Sequence, residues 1–474
     1  MRRALLAFLA CALFLIGGAS PQNGVAQTGE FGLDKWKEEA YAIGFTFVLI
    51  KGAYLYDIDP AECRLRVLSA LFGEDEIPAG TAQKKKYPNC SFDEFSAYFP
   101  PDDAKKLEMT LNGRLGGIGA RVSQTDTGLM VQEVLPDGPA DAAGIREGDV
   151  LIEARVSHAG ARQPLKTSDD KRFLRGIPGT RVFVVFVRDG ITMETWITRA
   201  MVSFPSVYAH RLVSEAGTVG YFAVTTFGDR TDEEFEDALS AFLLEVHDTP
   251  PNIIIDLRYN RGGSLETALE LLYDFAQEYD DSLLTRRFRT GPLMISTAEF
   301  PWGKVLNRET GDFESIGEFY DRDGNPKAHG LFRDARIAIL VNKRSASASE
   351  VFSGTMQDWG HTRARPIFVV GATTYGKGVG QVIFPLGKDG KLGELHLTSF
   401  EFFVGNSQTK VHKVGITPDY FVADGVPEKE FRPWRVPYAD ADPQLAKAIE
   451  VLRHATLPPP REGSFIKQDG DKLQ

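Results

Sequence analysis

Two short segments carry residue types suited to nucleophilic chemistry. The first, Ser345-Ala-Ser-Ala-Ser-Glu350, lies where the continuous aliphatic run Arg336-Ile-Ala-Ile-Leu-Val341 gives way to apolar positions Val351, Phe352, Met356 and Trp359 at helical spacing. That pattern predicts a buried strand, a tight turn and a helix, with Ser347 at the junction. Unpaired first-turn N–H groups and the positive end of the helix dipole favour a developing oxyanion, so a serine at this junction suits a nucleophile. The second segment, Thr374-Tyr-Gly-Lys-Gly-Val-Gly-Gln381, sets Lys377 between two glycines, thirty positions after Ser347. Each has a plainer explanation alone: Ser347 and Glu350 fit a capping box, and a lysine between glycines is usually a solvated loop charge.

Together the two segments are far more specific. They resemble the carboxyl-terminal processing peptidases, a family of Ser/Lys serine proteases, over roughly residues 90 to 424. The closing stretch, Leu397-Thr-Ser-Phe-Glu-Phe-Phe403 through Ser407-Gln-Thr409 to Gly415-Ile-Thr-Pro-Asp419, is most similar to the tail-specific protease branch. The resemblance implies that Ser347 is the nucleophile, Lys377 its base and Gln381 the residue that orients the lysine. It also implies an α/β core of the crotonase/ClpP-like kind with an inserted β-rich PDZ domain and a small N-terminal helical region.

The chemistry implied is acyl transfer through a covalent ester on Ser347. Lysine serves as a general base near neutral pH only if burial lowers its pKa, since desolvation disfavours the ammonium form. Gly376 and Gly378 would let backbone pack closely around it, and Gln381 would fix the amine by a neutral hydrogen bond.

A third segment must supply the oxyanion site. The strand-like run Asn252-Ile-Ile-Ile-Asp-Leu257 ends in Arg258-Tyr-Asn-Arg-Gly-Gly263 before a helix expected over Leu265 to Phe275. A glycine-rich turn of this kind could hold a phosphate, an oxyanion or nothing, and it lacks the Gly-Lys-Ser/Thr ending of a nucleotide loop. In the family this turn lies beside the nucleophile, so Gly262 and Gly263 join the Ala348 amide as candidate oxyanion donors. Arg261 stands where the family commonly has proline, which alters the charge expected near the site.

Ahead of the core, Leu115-Gly-Gly-Ile-Gly-Ala120, Leu129-Met-Val-Gln-Glu-Val134, Gly138-Pro-Ala140, Ala143-Gly-Ile145 and Gly148-Asp-Val-Leu-Ile152 follow the order found in PDZ domains. A glycine-rich turn before a strand can present backbone N–H groups to a carboxylate, and an open strand edge can accept a peptide strand. Gly117, Ile118, Gly119 and Ala120 are the candidate peptide-binding residues, and the implied partners are protein or peptide substrates held by their C-termini. Strands Arg181 to Val187 and Met193 to Ile197, joined at Asp189-Gly190, close this module. Beyond it, Val219 to Val224 reads as a buried strand and Thr231-Asp-Glu-Glu234 as a capping box opening a helix to about Val246.

The 474-residue length exceeds one ordinary core. The expected order is a signal peptide over 1–26, a helical region over 27–108, the PDZ domain over 109–204, the protease core over 205–424 and a partly flexible extension over 425–474 that includes a helix from Pro443 to His454. Met1-Arg-Arg3, the apolar run Ala4 to Ile16 and Gly17-Gly-Ala-Ser20 form an export leader, with cleavage after Ala19 or Ala26, and periplasmic placement follows. More apolar sequence follows Cys11 than precedes it, which argues against lipoprotein acylation. Cys63 and Cys90 remain, either as a disulfide or as two separate thiols. Residues 280 to 332 are rich in Gly, Pro, Asn and Asp and read as a long excursion of hairpin and loops near the site.

A net charge of −11 excludes a nucleic-acid binder. The eight histidines show no metal-ligand spacing, Gly-x-Ser-x-Gly and His-Glu-x-x-His are missing, and no cofactor is expected. A crotonase-type enzyme on the related fold would need a coenzyme A site, of which the sequence has no sign. The remaining rival is a catalytically silent PDZ scaffold that binds protein C-termini. Neither a homo-oligomer nor an adaptor protein is legible from the chain.

Overall fold

The structure, a computed structural model, describes residues 93–459 apart from 112–113, 157–159, 215–216, 247–250, 277–280, 291–292, 301–303, 308–312, 316–334, 388–390, 429, 438–440 and 455. The leader, the helices expected before residue 93, Cys63, Cys90 and the chain end after residue 459 therefore lie outside the described residues, as does much of the 280–332 excursion. Two compact units make up the rest.

The smaller unit comprises residues 93–105, 288–295 and 380–400 of the described chain. Its strand Ala97–Phe99 pairs antiparallel with the start of the strand Glu394–Val404, with Phe99 opposite Glu394 and its ring edge-on to His396 at 4.6 Å. The Asp93 carboxylate ends this strand by accepting the Phe95 N–H at 2.8 Å and the Thr398 hydroxyl at 2.8 Å.

The larger unit holds two sheets that account for most of the sequence pattern. In the first, strands Ala120–Gln124, Leu129–Val134, Val150–Arg155, Arg181–Arg188 and Ile191–Thr198 lie side by side, with Ala120–Gln124 at the edge. Alternation puts Leu129, Val131, Leu151, Val182, Val184 and Phe186 into one core. Asp189 and Gly190 both have positive φ, 49° and 79°, the conformation a two-residue hairpin turn needs, and each is a residue type that tolerates it. The expected hairpin is present at that dipeptide.

The second sheet is ordered Val207–Ser214, Gly217–Val224, Asn252–Asp256, Arg336–Val341, Ile367–Gly371 and Tyr420–Phe421. Its first pair is antiparallel and the rest are parallel. Parallel strands need crossovers, and helices Thr231–Glu245, Leu265–Phe275 and Ala348–Thr362 occupy the connections. The central strands are buried along their aliphatic runs, with only the first residues Asn252 and Arg336 half-buried. The C-terminal helix Pro443–His454 contributes Leu445, Ala448, Val451 and Leu452 to the core formed with Leu212, Ile254, Ala338 and Phe368. That part of the extension is packed protein.

One expectation is corrected. The helix opening at Thr231 has no reciprocal capping box. Thr231 is its first helical residue, its hydroxyl accepts the Gly228 N–H at 2.8 Å, and the Glu234 carboxylate turns away to take the Ser206 N–H at 2.6 Å and hydroxyl at 2.7 Å. Two donors on the neighbouring strand entry satisfy the carboxylate better than one amide of its own turn.

A buried ion cluster ties the extension to the sheet. Arg258, 2% exposed, donates to Asp256 Oδ2 at 2.6 Å and to Asp442 Oδ1 at 2.9 Å, while the Tyr221 hydroxyl donates to the same Asp256 oxygen at 2.6 Å. Burial works against the guanidinium charge, but the Asp256 carboxylate outweighs it, and the Arg258 pKa is held well above its usual value. Removing one partner of such a cluster leaves buried charge uncompensated. Asp442→Ala is expected to cost about 3 kcal/mol of stability, read as a lower urea midpoint at unchanged slope; an unmoved midpoint would show that the cluster does not hold the extension.

Candidate active site

Three turns of the larger unit meet at Ser347: the strand-to-helix turn that contains it, the Asp256–Gly263 turn and the Thr374–Gly378 loop. The repeated serines explain how the first two join. Ser345, buried, donates its hydroxyl to the Leu257 carbonyl at 2.8 Å, and Ser349, also buried, donates its own to the Asn260 carbonyl at 2.9 Å. The Asn260 carbonyl also accepts the Ala346 N–H at 3.1 Å. The outer serines of the motif thus fasten the Ser347 turn to the neighbouring strand end, and the middle one is left half-buried.

Ser347 itself has φ 58° and ψ −118°. An ordinary N-cap residue is extended. A non-glycine residue at positive φ stores on the order of 1–3 kcal/mol of strain and persists only where its surroundings impose it. Gly262, at φ 100°, makes the imposition possible, because a Cβ there would sit 2.8 Å from the Ser347 Cβ and 3.0 Å from the Ala348 nitrogen. Only glycine allows the two turns to approach so closely.

Glu350 fixes the third turn. Its Oε2 accepts the Ser347 N–H at 2.9 Å and the Lys377 N–H at 2.8 Å, which places those two amide nitrogens within two hydrogen-bond lengths of each other. Its Oε1 accepts the Thr374 hydroxyl at 2.5 Å and the Gly376 N–H at 2.6 Å. The carboxyl is fully buried, and burial raises its pKa above the usual carboxylate value against the opposing pull of those four donors. Gly376 and Gly378 allow close packing of the loop, whose carbonyls accept the Lys413 N–H at 2.8 Å and the Phe402 N–H at 2.9 Å.

The candidate oxyanion donors divide. The Gly262 N–H is already given to the Asn260 side chain at 2.8 Å. The N–H groups of Gly263 and Ala348 have no acceptor among the described residues. Gln381 belongs to the smaller unit, where its side-chain amide donates to the Thr398 hydroxyl at 3.3 Å.

In the first sheet, Gly117, Ile118, Gly119 and Ala120 form the turn into the edge strand. The Ile118 side chain is buried in that core, and Gly119 has φ 73°. The Ile118 and Gly119 carbonyls accept from Ala140 and Leu135 at 2.7 and 2.9 Å, while their N–H groups have no acceptor among the described residues.

Residues 218–422 match Peptidase family S41 and residues 106–154 match the PDZ domain. The segment 218–422 is thus of the peptidase family S41 type, preceded by a PDZ segment. The chain is 28% identical to the carboxy-terminal processing protease CtpB of Bacillus subtilis (strain 168), over 80% of this chain and 71% of that protein. A probable CtpA-like serine protease of Staphylococcus haemolyticus (strain JCSC1435) is 30% identical over 70% of this chain, which spans 57% of that protein's length. A solved chain of Bacteroides fragilis NCTC 9343 assigned to the S41 proteases is 13% identical, with a TM-score of 0.51 over 92% of this chain and 99% of that one, and likeness at that identity speaks to fold alone.

Sequence reasoning saw Glu350 only as a helix cap. Its reach to residues 374–377 had no local signal, because the two segments meet only in three dimensions. Residues 425–437 gave no signal either, being beyond the family likeness. Yet the Val426 carbonyl accepts the Tyr259 hydroxyl, and the Phe431 ring lies 5.2 Å from the Tyr259 ring.

In Glu350→Gln an amide NH₂ must face two donors, each left unsatisfied at about 1–3 kcal/mol. The variant is expected to lose about 2 kcal/mol or more of stability and most of its activity. The wild-type carboxyl titrates above its unfolded value, so the folded chain holds that proton more tightly, and this group's contribution falls as pH rises from about 4.5 through the folded value. The stability gap between wild type and variant should therefore narrow toward neutral pH in denaturation curves; a gap that widens would count against the assignment.

Proposed function

We propose that the chain is a serine endopeptidase that captures the C-terminal tail of a protein substrate on its PDZ module and cleaves peptide bonds by a Ser/Lys mechanism. The observation that carries this reading is the shared Glu350 oxygen, which holds the Ser347 and Lys377 backbones together while Ser347 is kept in a strained conformation. In this reading the Lys377 amine, in its unprotonated form, takes the Ser347 proton as the hydroxyl attacks the scissile carbonyl. The amine then returns the proton to the leaving nitrogen, and water repeats the sequence on the acyl-enzyme. Gly263 and Ala348 are the oxyanion donors favoured by their uncommitted N–H groups. Gln381 is assigned to orienting the lysine on its spacing in the motif.

The Ile118 and Gly119 amides, with the open edge of Ala120–Gln124, support capture of a substrate carboxylate. The N-terminal leader supports export to the periplasm, and the parallel sheet with its helical crossovers supports a crotonase/ClpP-like core. Among the described residues no helix is long and apolar enough to cross a membrane.

The test uses an unfolded protein substrate. Ser347→Ala and Lys377→Ala should each reduce its cleavage by about 10³-fold or more, with circular dichroism unchanged. Amidation of the substrate's C-terminus should raise KM more than it lowers kcat. Full turnover in either variant would remove the mechanism; binding of free C-termini without any cleavage by wild type would instead establish the silent-scaffold alternative.

A further inference from the structure

Two arginines beside the nucleophile converge on one carboxylate. Arg261 immediately precedes Gly262, the residue pressed against Ser347, and Arg344 lies three positions before Ser347. They come from different turns, yet both guanidiniums reach Glu428, at 3.1 Å to one oxygen and 3.8 Å to the other. Their side chains are 63% and 47% exposed, and that of Glu428 is 47% exposed. The mechanism above uses none of the three.

Neither arginine is buried in the fold. Buried Arg258, three positions before Arg261, already bonds Asp256 and Asp442 and holds the extension. Exposed ion pairs are weak and screened by salt, so Glu428 is not needed to stabilise the fold, and another carboxylate can displace it at little cost. Glu428 arrives on a separate piece of chain, residues 425–437, anchored by Val426 and Phe431 on Tyr259. Two guanidiniums that meet one carboxylate and stem from the two turns that touch at Gly262 and Ser347 are suited to read a substrate carboxylate there.

We propose that Arg261 and Arg344 form a carboxylate subsite next to the scissile bond, and that Glu428 occupies it until a substrate carboxylate takes its place. The inference rests on the peptidase reading and adds a preference to it: peptides with an acidic group at one position flanking the cleaved bond are favoured over neutral ones. The carboxylate can be an Asp or Glu side chain or the end of a short peptide, and these share the same chemistry.

The experiment uses the full chain and quenched fluorogenic peptides with an identical C-terminal tail, in which a single Glu or Gln is moved through the positions around the cleaved bond. At one position Glu should give a kcat/KM about fivefold above Gln at low salt. The ratio should fall toward one in the Arg261→Gln/Arg344→Gln double variant and in high salt, and rise in Glu428→Gln. If the ratio is instead flat along the scan but short peptides split between free-acid and amidated ends, with the same response to these variants, the ligand is the terminal carboxylate. Equal rates in every arm, or a preference that survives in the double arginine variant, overturn the subsite. If wild type cleaves no peptide, the peptidase reading fails separately. The subsite is then read by anisotropy of the labelled Glu and Gln peptides, with the same dependence on Arg261 and Arg344 expected and its loss decisive against it.

Discussion

The site depends on one buried carboxylate. Glu350 is removed from water, which disfavours its charge, and is compensated by four donors drawn from two separate parts of the chain. An acceptor with two oxygens can take two donors on each side, and no neutral side chain of that size can replace it. The geometry that follows is stiff. Ser347 and the lysine loop cannot drift apart without stranding a charge in the protein interior.

Around that carboxylate the other contacts act in series. Ser345 and Ser349 bind the Ser347 turn to Leu257 and Asn260. Asn260 in turn fixes Gly262 through its side chain, and the bare Gly262 backbone lies against Ser347. Each link is a short polar bond in a dry setting, where an unmade bond is costly, so the turns are specified together. Preorganisation of this kind is what a developing oxyanion requires, because donors already in place need no rearrangement as charge appears.

The elements themselves were legible to within a residue or two. The helix Leu265–Phe275, the Asp189–Gly190 hairpin and the strand Arg336–Val341 were readable because apolar period and turn chemistry are local properties. The box at Thr231 misread because Glu234 had two better donors at Ser206, a residue that only the fold brings close. The 425–437 segment belongs to the extension expected to be partly flexible, yet Phe431 within it packs its ring against Tyr259.

By itself the sequence determined the candidate residue types, their spacing, and the order of PDZ module and peptidase core, since motif, periodicity and turn preference are all written within a few positions. Only the tertiary structure decided which groups share an acceptor: that Glu350 serves residues 374–377 as well as its own helix, that the Gly262 amide is already committed, and that two arginines from different turns face one glutamate. The reason is that hydrogen bonds and charges act over a few ångströms in space, while the residues that supply them here lie from 2 to 167 positions apart along the chain.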